Sequence, residues 1–254
     1  MHVPATAKRV YGLYLILLTL CLSACHSCQA QQQEKQQTVK DNGYTYKTPG
    51  RGGIGKVYMG REIAGIISPA GGAWLERETR EEQDKASLAI ENMPLRPNSV
   101  VADIGAGVGY YTFRVAPKVP EGKVYAVEVQ EEFVNALKKR AAERGVENVE
   151  VVKGGSQAIN VPDSSLDLAF MVDVYHELEY PKEMLQAIHR ALKPDGLLLL
   201  LEYRAEDPEV QVKELHKMTA EQVNKELSAN GFVLHRQGEF LPRQHFLVFR
   251  KATD

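Results

Sequence analysis

The residues with the most chemical content in this 254-residue chain stand at the ends of short apolar runs. Val100-Val101-Ala102-Asp103-Ile104-Gly105-Ala106-Gly107-Val108-Gly109 puts an acid and three alternating glycines after one such run and before a helix-forming stretch. Glycine removes the side chain where a ligand must touch backbone, and a helix opening behind the loop presents free N–H groups. The Gly-x-Gly-x-Gly spacing differs from the Gly-x-Gly-x-x-Gly turn built around a dinucleotide's pyrophosphate, so the ligand need not be a phosphate. An NAD-dependent oxidoreductase is disfavoured on the same ground. One run later, Val124-Tyr125-Ala126-Val127-Glu128 ends in a carboxylate able to accept hydrogen bonds from both hydroxyls of a ribose. Loop and acid together point to an adenosine-containing ligand; the competing reading is a glycine turn that only packs tightly.

A second polar group gathers further along. Tyr175, His176 and Glu177 follow one apolar run, and Tyr203, Arg204, Glu206 and Asp207 follow the next. A histidine titrates near neutral pH and suits proton transfer. The bland alternative has His176 and Glu177 bonded to loop backbone.

These residues need a scaffold that brings strand ends together. From Ser99 onward, short β-rich runs alternate with longer amphipathic segments, the pattern of a parallel sheet covered by helices. The spacing predicts strands near 99–103, 123–128, 149–153, 166–172 and 196–202, with helices near 108–117, 130–144, 181–192 and 219–230. Lys193-Pro194-Asp195-Gly196 supplies a helix stop. Two last strands, near 232–239 and 245–250, are joined by too few residues for a parallel crossover and must pair antiparallel. Upstream, Arg61 to Ile67 and Trp74 to Met93 carry helical spacing, the second with Arg77, Glu78, Glu81, Glu82 and Lys85 on an exposed face. In such sheets ligands bind at the carboxyl ends of the strands.

From roughly Gly55 to Lys251 the chain resembles the class I methyltransferases that use S-adenosylmethionine (SAM). VADIGAGVGYYT is similar to their first motif, VYAVEVQ to their ribose-binding strand end, LDLAFMVDVYHE to their fourth strand and LKPDGLLLLLEYR to their fifth. GIGKVYMGREIA, EYRAEDPEV and LHKM resemble a bacterial subgroup of exported or uncharacterised methyltransferase-domain proteins. The resemblance implies an α/β, Rossmann-like sheet of seven strands in the order 3-2-1-4-5-7-6, strand seven antiparallel, with helices on both faces. It also implies SAM as cofactor and a methyl acceptor that is a small molecule or a component of the cell envelope. Carried onto this sequence, Asp103 orients the methionine amino group, Gly105, Ala106, Gly107 and Gly109 admit the cofactor's backbone, and Glu128 binds ribose. Asp173 faces the methionine side or the acceptor. Many relatives place an acid after strand three, where this chain has Gly154-Gly155-Ser156-Gln157, so Ser156 and Gln157 stand as adenine-side candidates. His176 is the candidate base, Glu177 or Asp207 its orienting group, and Tyr175, Tyr203 and Arg204 position the acceptor.

Two further patterns invite other chemistry. Gly50-Arg51-Gly52-Gly53-Ile54-Gly55-Lys56-Val57 has the spacing of a kinase glycine loop but no catalytic loop or metal-binding motif follows it, so an irregular segment over the cofactor mouth is expected. Arg61, Trp74 and Arg77 either help close it or, the favoured reading, belong to a helix anchored by one aromatic residue and exposed charges. His216 and His245 could join His176 and a carboxylate around a metal, yet their spacing does not demand one, and no metal site is expected.

The N-terminus reads as an export signal. Lys8 and Arg9 precede an apolar run from Val10 to Leu22, and Leu22-Ser23-Ala24-Cys25 resembles the lipobox of bacterial lipoproteins. Residues 1–24 are then a signal peptide and Cys25 an acylated first residue; an uncleaved anchor is the alternative, and either places the rest outside the cytoplasm, lipid- or helix-anchored to a membrane. Residues 25–55 form a glutamine-rich tether, 56–97 an N-terminal helical cap and 98–254 the methyltransferase domain. SAM is made in the cytoplasm, so a catalytically inactive, lipid-anchored binding protein on the same fold is the rival function. All three cysteines, Cys21, Cys25 and Cys28, precede the domain, which excludes a disulfide framework, a thiolate metal site and a cysteine nucleophile there. With 31 Lys+Arg against 33 Asp+Glu, the chain lacks a basic surface for nucleic acid, which is not an expected partner.

Overall fold

The computed structural model describes residues 42–253. The expected signal peptide over residues 1–24, Cys25 and the glutamine-rich run lie outside the described residues. The chain divides after Lys47. Of the first unit, the described residues hold one short strand, β1 (Tyr44–Tyr46); everything below belongs to the second. No helix among the described residues is long and apolar enough to cross a membrane.

Residues 53–64 correct the sequence reading. Gly53–Tyr58 (β2) and Arg61–Ala64 (β3) are an antiparallel hairpin, not the start of a helical cap and not an irregular loop. Val57 faces Glu62 and Tyr58 faces Arg61 across a two-residue loop whose Met59 and Gly60 have φ +48° and +101°. Such tight loops require positive φ at both positions. The kinase-like glycines serve this chain itself, because the N–H groups of Gly50 (2.8 Å) and Gly55 (3.1 Å) donate to the Glu62 carboxylate.

The long helix expected over 74–93 is three short ones, α1 (Gly72–Leu75), α2 (Arg80–Asp84) and α3 (Ala86–Glu91). Lys85 breaks the run with a left-handed φ of +52°. The break is held by Asp84, which is buried and paired with Arg77 (2.7 Å), Arg243 (3.4 Å) and Arg80 (3.7 Å). Arg77 is therefore no exposed helix-face charge.

The main sheet contains β4 (Val100–Ile104), β5 (Lys123–Glu128), β6 (Val149–Lys153), β7 (Leu166–Val172), β8 (Leu192–Tyr203), β9 (Phe232–Gly238) and β10 (Gln244–Lys251), in the order β6-β5-β4-β7-β8-β10-β9. Counted from β4 this is 3-2-1-4-5-7-6, as expected. The β4 to β8 neighbours are parallel, while β10 runs antiparallel to β8 and β9. Successive residues serve opposite faces. Ala102, Ala169, Leu198 and Leu200 meet α6 (Pro181–Ala191) and α7 (Ala220–Ser228) through Leu185, Ile188, Val223 and Leu227. Val101, Leu168, Leu199 and Leu201 meet Ala86, Ile90 and Val115 on the other side. Burial on both faces explains why these strands read as unbroken apolar runs. The Lys193-Pro194-Asp195-Gly196 stop lies inside β8, where the register against β7 shifts between Leu166 and Leu168. Helix α5 (Glu131–Arg144) follows β5 and ends at Gly145, whose φ of +59° suits only glycine well.

Candidate active site

The carboxyl ends of β4, β5, β7 and β8 open into one cavity of about 720 Å³. A volume of that size lies within the ~300–1,000 Å³ typical of small-molecule sites.

Its floor is the glycine loop. Gly105 and Gly107 line the cavity with φ of +74° and +54°, and a Cβ on Gly105 would meet the Val174 side chain at 2.6 Å. Ala106 lines it between them. Gly109, φ +82°, is not at the wall; the Phe113 ring lies where its Cβ would go, so its part is to let the loop close onto α4 (Thr112–Val115). The N–H groups of Gly105 and Ala106 donate to the Val127 carbonyl at 2.9 and 3.1 Å, which ties the loop to β5.

Glu128, almost fully buried at the end of β5, lines the same cavity. Its Oε2 accepts from Gly107 N–H at 2.8 Å, and its Oε1 from the N–H groups of Val129 (2.7 Å) and Gln130 (2.9 Å). A carboxylate has about four lone-pair sites, so three backbone donors fix its orientation and leave capacity for a hydroxyl donor. Asp103 lines the cavity and accepts from Thr112 Oγ1 at 2.5 Å; burial pushes its carboxyl up to about 7, against the lowering pull of that bond. Asp173, φ +56°, is held by both oxygens from Gln244 Nε2 at 2.8 Å, and burial, with Glu202 adding to it, raises it to about 7 as well. Gly155 and Ser156 reach the wall; Gln157 does not.

Trp74, Arg80, Tyr110, Tyr111 and Tyr203 also line the cavity. Arg80 lies over the Tyr110 ring at 4.2 Å, and Arg77 over Trp74 at 4.2 Å. The Tyr203 hydroxyl donates to Asp84 at 3.1 Å. Buried Tyr111 OH has no hydrogen-bond partner, an unusual state for a polar atom unless a ligand supplies one.

His176 is 1% exposed, and its ring borders the cavity. Its Nδ1 lies 2.6 Å from Glu202 Oε2, while Glu202 Oε1 accepts from Tyr175 N–H at 2.8 Å. A carboxylate can only accept, so Nδ1 carries the proton and Nε2 faces the cavity side. Burial lowers the His176 pKa, but the charge and hydrogen bond of Glu202, with the charges of Glu177 and Asp173, together outweigh it and the net direction is up. The orienting group is thus Glu202, which the sequence reading did not single out. Glu177 sits on the other nitrogen's side, 3.8 Å from Nε2, and Asp207 is spent on a local turn, accepting from Glu209 N–H at 2.9 Å. Tyr175 and Arg204 do not line the cavity either. Tyr175 is buried and donates to Glu226 at 2.9 Å; Arg204 pairs with Glu239 at 3.0 Å. His216 is brought to His176, with its Nδ1 3.1 Å from Nε2, whereas His245 pairs with Glu206 at 3.0 Å instead. Glu202 closes an otherwise apolar run, Leu197 to Leu201; a buried acid needs a partner, and that was the signal available.

Comparison with known proteins agrees with this geometry. Residues 101–196 match the methyltransferase domain family. The sheet is that of the class I methyltransferases. A SAM-dependent methyltransferase from Aquifex aeolicus superposes with a TM-score of 0.68 at 27% identity, covering 72% of this chain and 98% of that one. The uncharacterized methyltransferase YcgJ of Bacillus subtilis is 32% identical over 128 residues, half of each chain. A ubiquinone/menaquinone biosynthesis C-methyltransferase, UbiE, of Hydrogenovibrio crunogenus is 31% identical over 117 residues, 45% of this chain and 46% of its own. The chain spans about half the length of these two curated relatives. The methyltransferase-domain match begins at Val101, inside β4, and ends at Gly196, inside β8, so it takes in the glycine loop, Glu128, Asp173 and His176 but neither Glu202 nor His216.

Proposed function

We propose that this chain transfers a methyl group from SAM to a small-molecule or envelope-associated acceptor. The observation that carries the reading is the meeting of Glu128, pinned by three backbone N–H groups, with the bare loop Gly105–Gly107 and buried Asp103 in one cavity. Glu128 accepts from the ribose, Asp103 attracts the methionine ammonium, and Ser156 with Val129 lies on the side left for adenine. SAM supplies an electrophilic methyl on a sulfonium. The protein's part is to align donor and acceptor for an in-line displacement and to exclude water. Where the acceptor carries a proton, His176 Nε2 takes it as the methyl carbon bonds to the acceptor and leaves sulfur; Glu202 stabilises the imidazolium so formed. Trp74, Tyr110 and Tyr203 with Arg80 offer aromatic faces and a cation to the acceptor.

Cys25 in Leu22-Ser23-Ala24-Cys25 supports a lipid anchor and a place in the cell envelope, outside the cytoplasm. Palmitate labelling of the chain, lost in Cys25→Ala, is the expected result. That placement also favours the second reading, a lipid-anchored binding protein without catalysis, because SAM is made inside the cell. Incubation of the full chain with methyl-labelled SAM and a cell-envelope extract separates the two. Label in a discrete product supports the enzyme; SAM binding without any labelled product supports the binding protein.

A further inference from the structure

We propose that His176, Glu177 and His216 hold a divalent transition-metal ion of the zinc type at the acceptor end of the cavity. All three side chains line the cavity. Among the described residues they are the one group of three or more His, Cys, Asp or Glu whose ligand atoms all lie within 4.8 Å of one another. His176 Nε2 and His216 Nδ1 are 3.1 Å apart, His216 Nδ1 and Glu177 Oε1 3.3 Å, and His176 Nε2 and Glu177 Oε1 3.8 Å.

Those separations fit a single shared ion. Bonds of ~2.1 Å to a tetrahedral zinc place ligand atoms ~3.4 Å apart, and an octahedral ion with bonds of the same length places them ~3.0 Å apart. The three distances centre on the tetrahedral edge. Two histidines and one carboxylate with a fourth, open position form a recurrent catalytic zinc set. Here the fourth position faces the cavity, since all three donors border it.

The support behind the ligands has the same character. Glu202, fully buried, accepts the hydrogen bond of His176 Nδ1–H at 2.6 Å and so leaves Nε2 with its lone pair. A carboxylate behind a metal-bound imidazole fixes its tautomer and raises its basicity. Glu202 is itself fixed by Tyr175 N–H, and Arg61 Nη1 donates to the His176 carbonyl at 3.1 Å, so the ligand is held from both main chain and ring. His216 sits in a single turn, Glu214–His216, far along the chain from the Tyr175–Glu177 turn that carries the other two. A metal would therefore tie two loops together over the acceptor side.

Metal binding itself does not depend on the methyltransferase reading. If that reading holds, the ion and the proton compete for Nε2. With the ion bound, an acceptor X–H coordinates it through X, gives its proton to solvent because the cation lowers its pKa, and X then bonds to the methyl carbon as the carbon–sulfur bond breaks. The donor leaves as S-adenosylhomocysteine, its sulfur now a neutral thioether.

The test uses the full chain with its cysteines alkylated, because Cys21, Cys25 and Cys28 are themselves metal ligands in principle. Zn²⁺ is titrated by calorimetry without SAM, and Co²⁺ is added separately to read its visible ligand-field spectrum. One equivalent of each ion, with the intense bands of four-coordinate cobalt, is expected. His216→Ala and Glu177→Gln, both at partly exposed positions, should each weaken Zn²⁺ binding about 10-fold or more and flatten the cobalt spectrum while melting as the parent does. No ion bound by the alkylated parent, binding unchanged in both folded variants, or a six-coordinate cobalt spectrum overturns the proposal. Failure to bind SAM in a parallel titration overturns the methyltransferase reading and leaves the metal site standing.

Discussion

Asp103 and His176 mark the two ends of the proposed transfer, and each gives a prediction that a neighbouring side chain can check. Asp103 is raised to about 7 by burial, so it binds its proton more tightly folded than unfolded. Its ionisation therefore costs the ligand-free fold stability as pH rises toward 7, and an ammonium beside it recovers that loss. SAM affinity should increase as pH rises from about 6 to about 8, and Asp103→Asn should be weaker by about 10-fold at the upper end with the slope flattened. Calorimetric titrations across that range measure both; a parallel slope in the variant would reject the ammonium contact. At the other end, Glu202→Gln keeps an acceptor for Tyr175 N–H but removes the charge that supports His176. Turnover on an identified acceptor should fall about 100-fold, while SAM affinity stays within twofold. His176→Ala should also act on turnover, with an added loss of stability because it leaves Glu202 buried and unpaired.

At the level of elements, the strand-to-helix turn after β4 carries the largest structural demand. Gly105 needs positive φ and has Val174 where a Cβ would stand. Gly105→Ala should lower stability by about 1–2 kcal/mol, visible in thermal melting, and reduce SAM affinity further by narrowing the floor. The positions of β4 to β10 were legible because doubly buried strands leave long apolar runs and the short last connection permits only a hairpin. Glu128 was legible because it ends such a run beside the glycine loop. The hairpin of β2 and β3 was not, since Met59-Gly60 lacks the Asn-Gly or Asp-Gly signature of tight turns, and β3 is too short for alternation to outweigh helical spacing. The break at Lys85 was hidden for a similar reason: a lysine carries no sign of a left-handed φ, and the three arginines that hold Asp84 beside it come partly from β10's approach, at Arg243. Tyr175, Arg204 and Asp207 were placed correctly along the chain and wrongly in direction, because which way a loop side chain turns is decided by partners such as Glu226 and Glu239 that are distant in sequence.

Over the folded unit from Thr48 onward, the hairpin is fastened to the back of the site by one buried ion pair. Arg61 reaches Glu226 on α7 through both oxygens, at 2.8 and 2.9 Å, and also bonds to the His176 carbonyl. Glu226 is fully buried, with Tyr175 OH and Gln222 as its other partners. Arg61→Ala leaves that charge without its cation and should cost about 3–5 kcal/mol in urea unfolding, with turnover falling as His176 loses its anchor. Binding of SAM, which engages only the folded state, should raise the melting temperature with the logarithm of its concentration above Kd. SAM recognition depends on the cavity between the glycine loop and Glu128. The most direct measurement is a calorimetric titration of the full chain and of Glu128→Gln with SAM and with S-adenosylhomocysteine. One-site binding to the parent, weakened roughly 10- to 100-fold in the variant by the loss of a charge-assisted bond to ribose, is the predicted result. A folded parent chain that binds neither compound, or a Glu128→Gln variant that binds both as tightly as the parent, would contradict it.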